Sequence, residues 1–398
     1  LVDPNRQDDL SGLGHLCAAG VVFMALVDLN RRQREAGAAA PDLMKKLDLV
    51  ALATVADVVP LIGLNRAFVA RGLEAMRKRE RSGLAALFDV AGAGGPPTPY
   101  HLGFLVGPRI NAGGRIGDAA LGARLLTATD RQEATRIAAE LDRLNRERQR
   151  IEAAVLAEAE AQAMFALGAD ERGAAVIVAG EGWPPGVVGL IAARLKERYG
   201  RPAFALALNG EDATGSARSI PGVDLGRLVR GLVDSGVAIK GGGHAMAAGV
   251  TIRRERLGEF RAGIEAALSA PVTEARRDAA LAIDAALSAG AATPELMRGV
   301  EAAGPFGAGN AEPVFALPRH RITDVFVVGA DHVRLKAVSG DGRALEAIAF
   351  RAAGKPLGQG LRSLEGGLAH LAGALAINRY GGRERVQLRL LDAAPAPM

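Results

Sequence analysis

The stretch "AAVIVAGEGWPPGVVGLIAARLKERYGRPAFALAL", Ala174 to Leu208, decides how this chain folds. A short apolar run rich in β-branched residues (174–180) leads into a turn of Gly and Pro. A segment with apolar residues at helical spacing follows (189–200), and then a second apolar run (202–208). These spacings predict strand, helix, strand. Toward the C-terminus the order continues with a strand at 213–220, a helix at 224–236, a glycine motif from Lys240, a strand at 247–252 and a closing amphipathic helix near 270. Such alternation is α/β.

Upstream, Asp130 to Leu167 contains neither Pro nor Gly and carries apolar residues at helical spacing, which predicts one long helix linking two domains, its charges forming a solvated face. Residues 11–37 have a helical pattern, and a helix rich in Arg and Glu is expected at about 65–80. Between them "KLDLVALATVADVVPLIG", Lys46 to Gly63, is continuously apolar and reads as a buried strand of a parallel sheet ending near Asp57. "GAGGPPTPY" (92–100) is a loop by composition, and "GPRINAGGRIGDAALGARLL" (107–126) runs from a glycine-rich turn into a helix. Beyond a small helix at 291–303, short β-rich runs at 313–394 are separated by "GAD", "SGDG" and "YGGRE" turns, a spacing that suggests a small β-barrel. The fold class is therefore α/β: a parallel-sheet domain (1–128), a long connecting helix (129–168), a second α/β domain (169–270) and a C-terminal β-barrel (271–398).

The 398 residues are 49% hydrophobic and 23% charged, with no apolar run long enough for a membrane span and no signal peptide. One cysteine, Cys17, excludes an internal disulfide and a cysteine-based zinc site and fits a reducing cytoplasm. A net charge of +5 allows an anionic partner. Seven of the 49 basic residues are lysine and the rest arginine, which suits phosphate contacts but equally reflects codon bias. Leu1 is not methionine, and "LVDPNRQDD" reads as the exit from an earlier strand, so the chain looks like the downstream part of something longer.

Four places could carry chemistry. Asp57, at the expected strand end, is placed to hold a hard cation or simply to cap a helix. Arg109, Asn111 and Arg115 stand among glycines in "GPRINAGGR", which suits a phosphate or a solvated loop. Ser216 and Arg218, two apart on a strand, project to one side and could grip one phosphate or merely edge the sheet. In "KGGGHAMAAG" (Lys240 to Gly249), Gly241, Gly242 and Gly243 before His244 are either a plain loop or a cradle of main-chain N–H groups for an anion. Trp183 could stack on a base or fill a core.

Taken in order, "ALATVADVVPL", "GPRINAGGRIGDA", the long helix, "GWPPGVVGLIAARLKERYGRP", "GSARSIPGVDL", "GGGHAMAAGVTI" and "PFGAGNAEPVF" resemble the RecJ exonucleases of the DHH phosphoesterase superfamily over nearly the whole chain. The resemblance implies the rear part of a DHH domain, a DHH-associated substrate domain and an OB-type barrel. It also implies 5′→3′ hydrolysis of single-stranded DNA to 5′-mononucleotides in repair and recombination, with two Mn2+ or Mg2+ ions, in the cytoplasm, and single-strand-binding protein or a helicase as further partners. On it, Asp57 is a metal ligand and catalytic residue. Arg109, Asn111, Arg115, Ser216 and Arg218 hold the 5′ end and its phosphates. Gly241, Gly242, Gly243 and His244 form the substrate loop, His244 as a phosphate contact or catalytic proton donor. Phe315, Phe326, Phe350 and Tyr380 are the rings available on the barrel.

Two departures stand out. The family's aspartate motif and Asp-His-His triplet occur nowhere in the 398 residues, so this polypeptide alone is expected to be inactive; Pro184 stands where the motif usually has histidine. The alternatives are a phosphodiesterase of short oligonucleotides or cyclic dinucleotides, which the barrel argues against, and a non-catalytic strand-binding relative. A relative of the alanyl-tRNA synthetase C-terminal region leaves the motifs at 51–61 and 107–118 without a place.

Overall fold

A computed structural model describes residues 2–168, 171–278, 280–380 and 383–397. The chain forms two compact units: Leu1–Lys78, Pro96–Gly103 and Leu281–Met398 make one, Arg79–Gly95 and Phe104–Ala280 the other. Among the described residues no helix is long and apolar enough to cross a membrane.

The first part of unit one is helical: α1 (Ala18–Glu35), α2 (Leu47–Ala56) and α3 (Gly63–Arg77). Helix α2 replaces the strand expected at 46–57, and no strand precedes Val176 among the described residues, so the parallel sheet expected for 1–128 is not there. The reason lies in the run itself. An unbroken apolar stretch has no period to distinguish strand from buried helix; Leu and Ala at 47, 49, 51, 52, 53 and 56 favour the helix. Thr54, one of few β-branched residues, turns its Oγ1 back onto Val50 O at 2.7 Å. Helix α3 crosses α2 at Gly72, where any Cβ would collide with Ala51 and Leu47.

Unit two begins with α4 (Ser82–Val90), α5 (Gly107–Ile116), α6 (Ala120–Thr127) and α7 (Arg131–Leu167). Helix α7 is the long helix read from the sequence, and the Asp130 carboxylate caps it by accepting from the N–H of Glu133 at 2.9 Å. Helix α5 corrects a reading: "GPRINAGGR" is a helix and not a glycine-rich turn. Its glycines serve packing, since a Cβ at Gly113 would stand 2.7 Å from Asp118 O and 3.4 Å from Leu141 of α7.

The α/β part follows in the expected order: β1 (Val176–Glu181), α8 (Pro185–Tyr199), β2 (Ala203–Asn209), β3 (Asp212–Arg218), α9 (Leu225–Asp234), β4 (Lys240–His244), β5 (Ala247–Arg253) and α10 (Leu257–Arg277). The sheet order is β1-β2-β3-β5-β4, with β1 and β2 parallel and the other pairs antiparallel. Side chains alternate across it. Phe204, Leu206, Ala217 and Val250 face α9 and α10, while Val176, Val178, Ala203 and Ala205 face α7 and α8. The glycine motif, left open between loop and cradle, is the edge strand β4.

Unit one resumes with β6 (Ala285–Ala286), α11 (Pro294–Ala302), β7 (Val314–Val328), β8 (His332–Val338), β9 (Ala344–Ala349), α12 (Pro356–Ser363), β10 (Leu368–Tyr380) and β11 (Arg383–Pro395). Strand β10 pairs with both β11 and β7, which closes β7, β8, β9, β11 and β10 into a five-stranded barrel, the small β-barrel expected for this region. Two of the β-rich runs, "PVFAL" (313–317) and "ITDVFVV" (322–328), belong to one bent strand, β7, with positive φ at Arg319 and Asp324 and a register shift between Thr323 and Phe326. A bulge bends a strand without ending it. Helix α12, eight residues with two glycines, is an element that the sequence reading does not contain.

Candidate nucleic-acid interface

The pairing register of unit two sorts the candidate residues by face. Arg218 pairs with Ala247 and Ala247 with His244; Ser216 pairs with Gly249 and Gly249 with Gly242; Thr214 pairs with Thr251 and Thr251 with Lys240. Residues in one cross-strand row point to one face, and i, i+2 neighbours share it. Arg218, Ser216, His244, Gly242 and Lys240 therefore stand on the same side, the side on which α8 packs against β1, β2 and β3. A Cβ on Gly242 would meet nothing within 4 Å, so this end of the face is open. Strand β4 is also a sheet edge, with outward main-chain groups unpaired in the ladder.

The three glycines do different work. Gly241 and Gly243 point to the opposite face, where a Cβ on Gly241 would lie 2.5 Å from Val229 Cγ1 of α9. Gly243, at φ 155°, would collide with Ala247 and Ala248. They let α9 close on the strand; Gly242 alone leaves the open floor.

Arg218 is the centre of the open face. It is half-buried, and its one hydrogen bond goes to the neighbouring Ala217 O at 2.9 Å. No carboxylate of the described residues pairs with it. Burial holds the guanidinium below its usual pKa, and the Arg115 charge adds in the same direction. Arg115 donates to Gly186 O at 2.7 Å, and it too lacks a carboxylate partner among the described residues. Gly189 of α8 makes the room: a Cβ there would be 3.1 Å from Arg218 Nη2 and 3.5 Å from Ser216 Oγ. Two cations without a carboxylate partner among the described residues thus stand beside a hydroxyl and bare backbone, a set of groups chemically suited to an anion.

Arg109 is occupied differently. Its Nε donates to Asp142 of α7 at 2.9 Å in a pair whose side chains are 13% and 12% exposed, and Nη1 donates to Leu105 O at 2.7 Å. It ties α5 to α7. Asn111 is exposed and shares with Arg115 one face of α5, four residues apart. Behind Arg115 the buried Arg148 donates to Glu152 at 2.5 Å and Asn145 at 2.9 Å, and burial lowers its pKa despite Glu152. Sequence reasoning missed Gly189, Lys240 and the Asp142–Arg109 pair, because sheet register and helix packing reveal them and local spacing does not.

Asp57, in unit one, is exposed at the C-terminal end of α2, before Val58 at φ 56°. A β-branched residue there costs about 1–3 kcal/mol and must be held by its surroundings. The Asn65 side chain donates to Pro60 O at 2.9 Å and Leu61 N–H donates to Ala308 O at 2.6 Å, fixing the turn's exit. Among the described residues no three His, Cys, Asp or Glu converge, so Asp57 alone does not fit a two-ion cluster.

On the barrel, Phe315 is core at 6% exposure. Phe326 and Phe350 are 40% and 56% exposed; Arg334 lies 4.5 Å over the Phe326 ring, and His332 meets Phe350 edge-on at 5.2 Å. The Tyr380 side chain lies outside the described residues. Trp183 is 4% exposed and donates to Glu158 at 2.9 Å, so of its two readings the core holds. Pro184 caps α8 without a side-chain bond. As the single tryptophan, Trp183 is expected to resist acrylamide quenching equally with and without single-stranded DNA; strong quenching by the strand would contradict its burial.

Comparisons with known proteins agree with this layout. A family model described as "DHHA1 domain" matches residues 172–270, and one described as "RecJ OB domain" matches 283–392. The single-stranded-DNA-specific exonuclease RecJ of Dickeya dadantii is 34% identical across 98% of this chain and 69% of its own length. That of Bacillus subtilis is 33% identical across 87% of this chain and 44% of its own. The crystal structure of RecJ from Thermus thermophilus in complex with Mn2+ superposes with a TM-score of 0.74 at 28% identity, covering 95% of this chain and 53% of that one.

Proposed function

As this chain belongs to the RecJ family, we propose that it is the strand-gripping part of a single-stranded-DNA-specific exonuclease, its open sheet face taking the phosphates of the strand. One observation carries the reading: Arg218 is half-buried beside Arg115, and no carboxylate of the described residues pairs with either. A phosphate placed between them replaces the hydration that burial removed and offsets their mutual repulsion. Ser216 donates a hydrogen bond, Gly242 lets the backbone approach, and His244 and Lys240 extend the grip along β4. The candidate residues on this face are suited to phosphate and sugar contacts, which accept any sequence. On the barrel, Phe326 and Phe350 offer rings for base stacking, with Arg334 supplying charge.

Mn2+ or Mg2+, when bound, would activate the attacking water in this family's chemistry, and Asp57 is the residue here that resemblance makes a ligand. One carboxylate does not hold two ions, so no hydrolytic step is assigned to these residues. A strand-binding chain without chemistry of its own is the second reading, favoured by the same lack of converging ligands among the described residues.

The test uses the 398-residue chain with Mn2+ and 5′-phosphorylated single-stranded DNA. Binding is expected with a log–log salt slope of about −2, from neutralising three cations on a single strand, and no mononucleotide is released. Affinity independent of salt would refute the phosphate face, and robust mononucleotide release would refute the chain's inactivity.

A further inference from the structure

We propose a second anion site in unit two, on the α10 side of the sheet, that takes a small phosphomonoester such as a pentose 5-phosphate. An open cavity of about 530 Å³ lies between α10 and the segment that leads into β1. One wall is a stripe of α10 with Glu265, Ser269, Thr273 and Arg276, positions that helical periodicity sets on one side. The other wall holds Arg201, from the turn between α8 and β2, and Glu171.

Arg201 is the reason to expect a ligand. It is the largest fully buried side chain, 1% exposed. Its Nη1 donates to Glu171 O at 2.7 Å and Gly173 O at 2.5 Å, and its Nε to Tyr199 O at 3.2 Å. Nη2 has no hydrogen-bond partner. The Glu171 carboxylate is 3.7 Å from it, beyond hydrogen-bond reach, on a side chain 55% exposed. A buried guanidinium N–H without an acceptor costs about 1–3 kcal/mol, a cost an incoming oxygen removes.

The neighbouring charges point the same way. Arg276 has no ion-pair partner among the described residues, and its charge, after burial, is what lowers the pKa of Arg201. Glu265, the other acid here, has both oxygens committed to Ala174 N–H at 2.9 and 2.8 Å. Two arginines face the space, Arg276 without an ion-pair partner among the described residues and Arg201 with its charge partly offset by Glu171 and Glu265, and the Ser269 and Thr273 hydroxyls lie alongside. No aromatic ring lines the cavity, so recognition rests on the phosphate and a polar body and not on a stacked base. Arg218 belongs to the opposite face, against α8, and the two sites can be separated by mutation.

The experiment is calorimetric titration of the 398-residue chain with ribose 5-phosphate, inorganic phosphate and ribose, in an Arg218→Ala background that weakens the first site. Ribose 5-phosphate and phosphate are expected to bind and ribose not. Adding Arg276→Ala is expected to weaken binding about tenfold, the loss of one charge-assisted hydrogen bond. Ser269→Glu, a carboxylate placed in the cavity, is expected to abolish it. Both positions are exposed, so unchanged melting temperatures accompany these losses. No phosphate binding in the Arg218→Ala background, equal binding of ribose, or equal affinity in Arg276→Ala and Ser269→Glu would each overturn the site.

Discussion

Replacing Arg218 by alanine is expected to weaken binding of 5′-phosphorylated single-stranded DNA by about ten- to hundredfold, the range of a charge-assisted hydrogen bond lost from a partly dry site. The salt slope should become shallower by roughly 0.7, one cation fewer on a single strand. The melting temperature should stay the same or rise. Arg218 has no carboxylate partner among the described residues to abandon, and its removal relieves a half-buried charge repelled by Arg115. Arg109→Ala should behave in the opposite way. It leaves Asp142, 12% exposed, with only Arg146 at 2.8 Å, and breaking a buried pair costs about 3 kcal/mol. Chemical denaturation of both variants, with fluorescence-anisotropy titration of the strand, separates a binding arginine from a structural one. Two variants that lose stability alike, with binding intact in Arg218→Ala, would remove the basis for the phosphate face.

The second large effect concerns the glycine strand, where neighbouring glycines should fail for different reasons. Gly241→Ala puts a methyl 2.5 Å from Val229 Cγ1 and 2.9 Å from Gly249 O, so it pushes α9 off β4 and should cost about 1–3 kcal/mol of stability, as overpacking does. Gly242→Val meets open space, and a β-branched residue suits a strand, so its melting temperature should hold. Its side chain rises from the floor beside Ser216 and Arg218, and affinity for the strand should fall at least about tenfold, because the backbone can no longer approach. Thermal melts and binding isotherms on the two variants give opposite patterns on this reading. If Gly242→Val bound DNA as tightly as the parent chain, β4 would not be part of the interface.

Much of this molecule could be read locally. The α/β order from Ala174 to Leu268 follows from a switch between period 2 and period 3.6, and each period is written in a dozen neighbouring residues. The long helix was legible because Arg131–Leu167 lacks both helix breakers and starts at a capping aspartate. The barrel was legible from its turns. The same logic failed at 47–56, where a mostly apolar run has no period to separate strand from buried helix; its Leu and Ala favour the helix, which packs on α3 at Gly72. It failed again at "GPRINAGGR", where glycines that resemble a turn are the places where α5 meets α7.

The candidate site divides along the same line. Sequence by itself determined that Ser216 and Arg218 share a face, since residues two apart on a strand always do, and that glycines precede His244. Only the tertiary structure decided which arginine has a carboxylate partner. Arg109 meets its carboxylate 33 residues away, on another helix, and Arg218 meets none among the described residues. Charge compensation depends on distance in space and on burial. Neither is a property of neighbours along the chain, which is why two arginines that read alike in sequence end in different electrostatic surroundings.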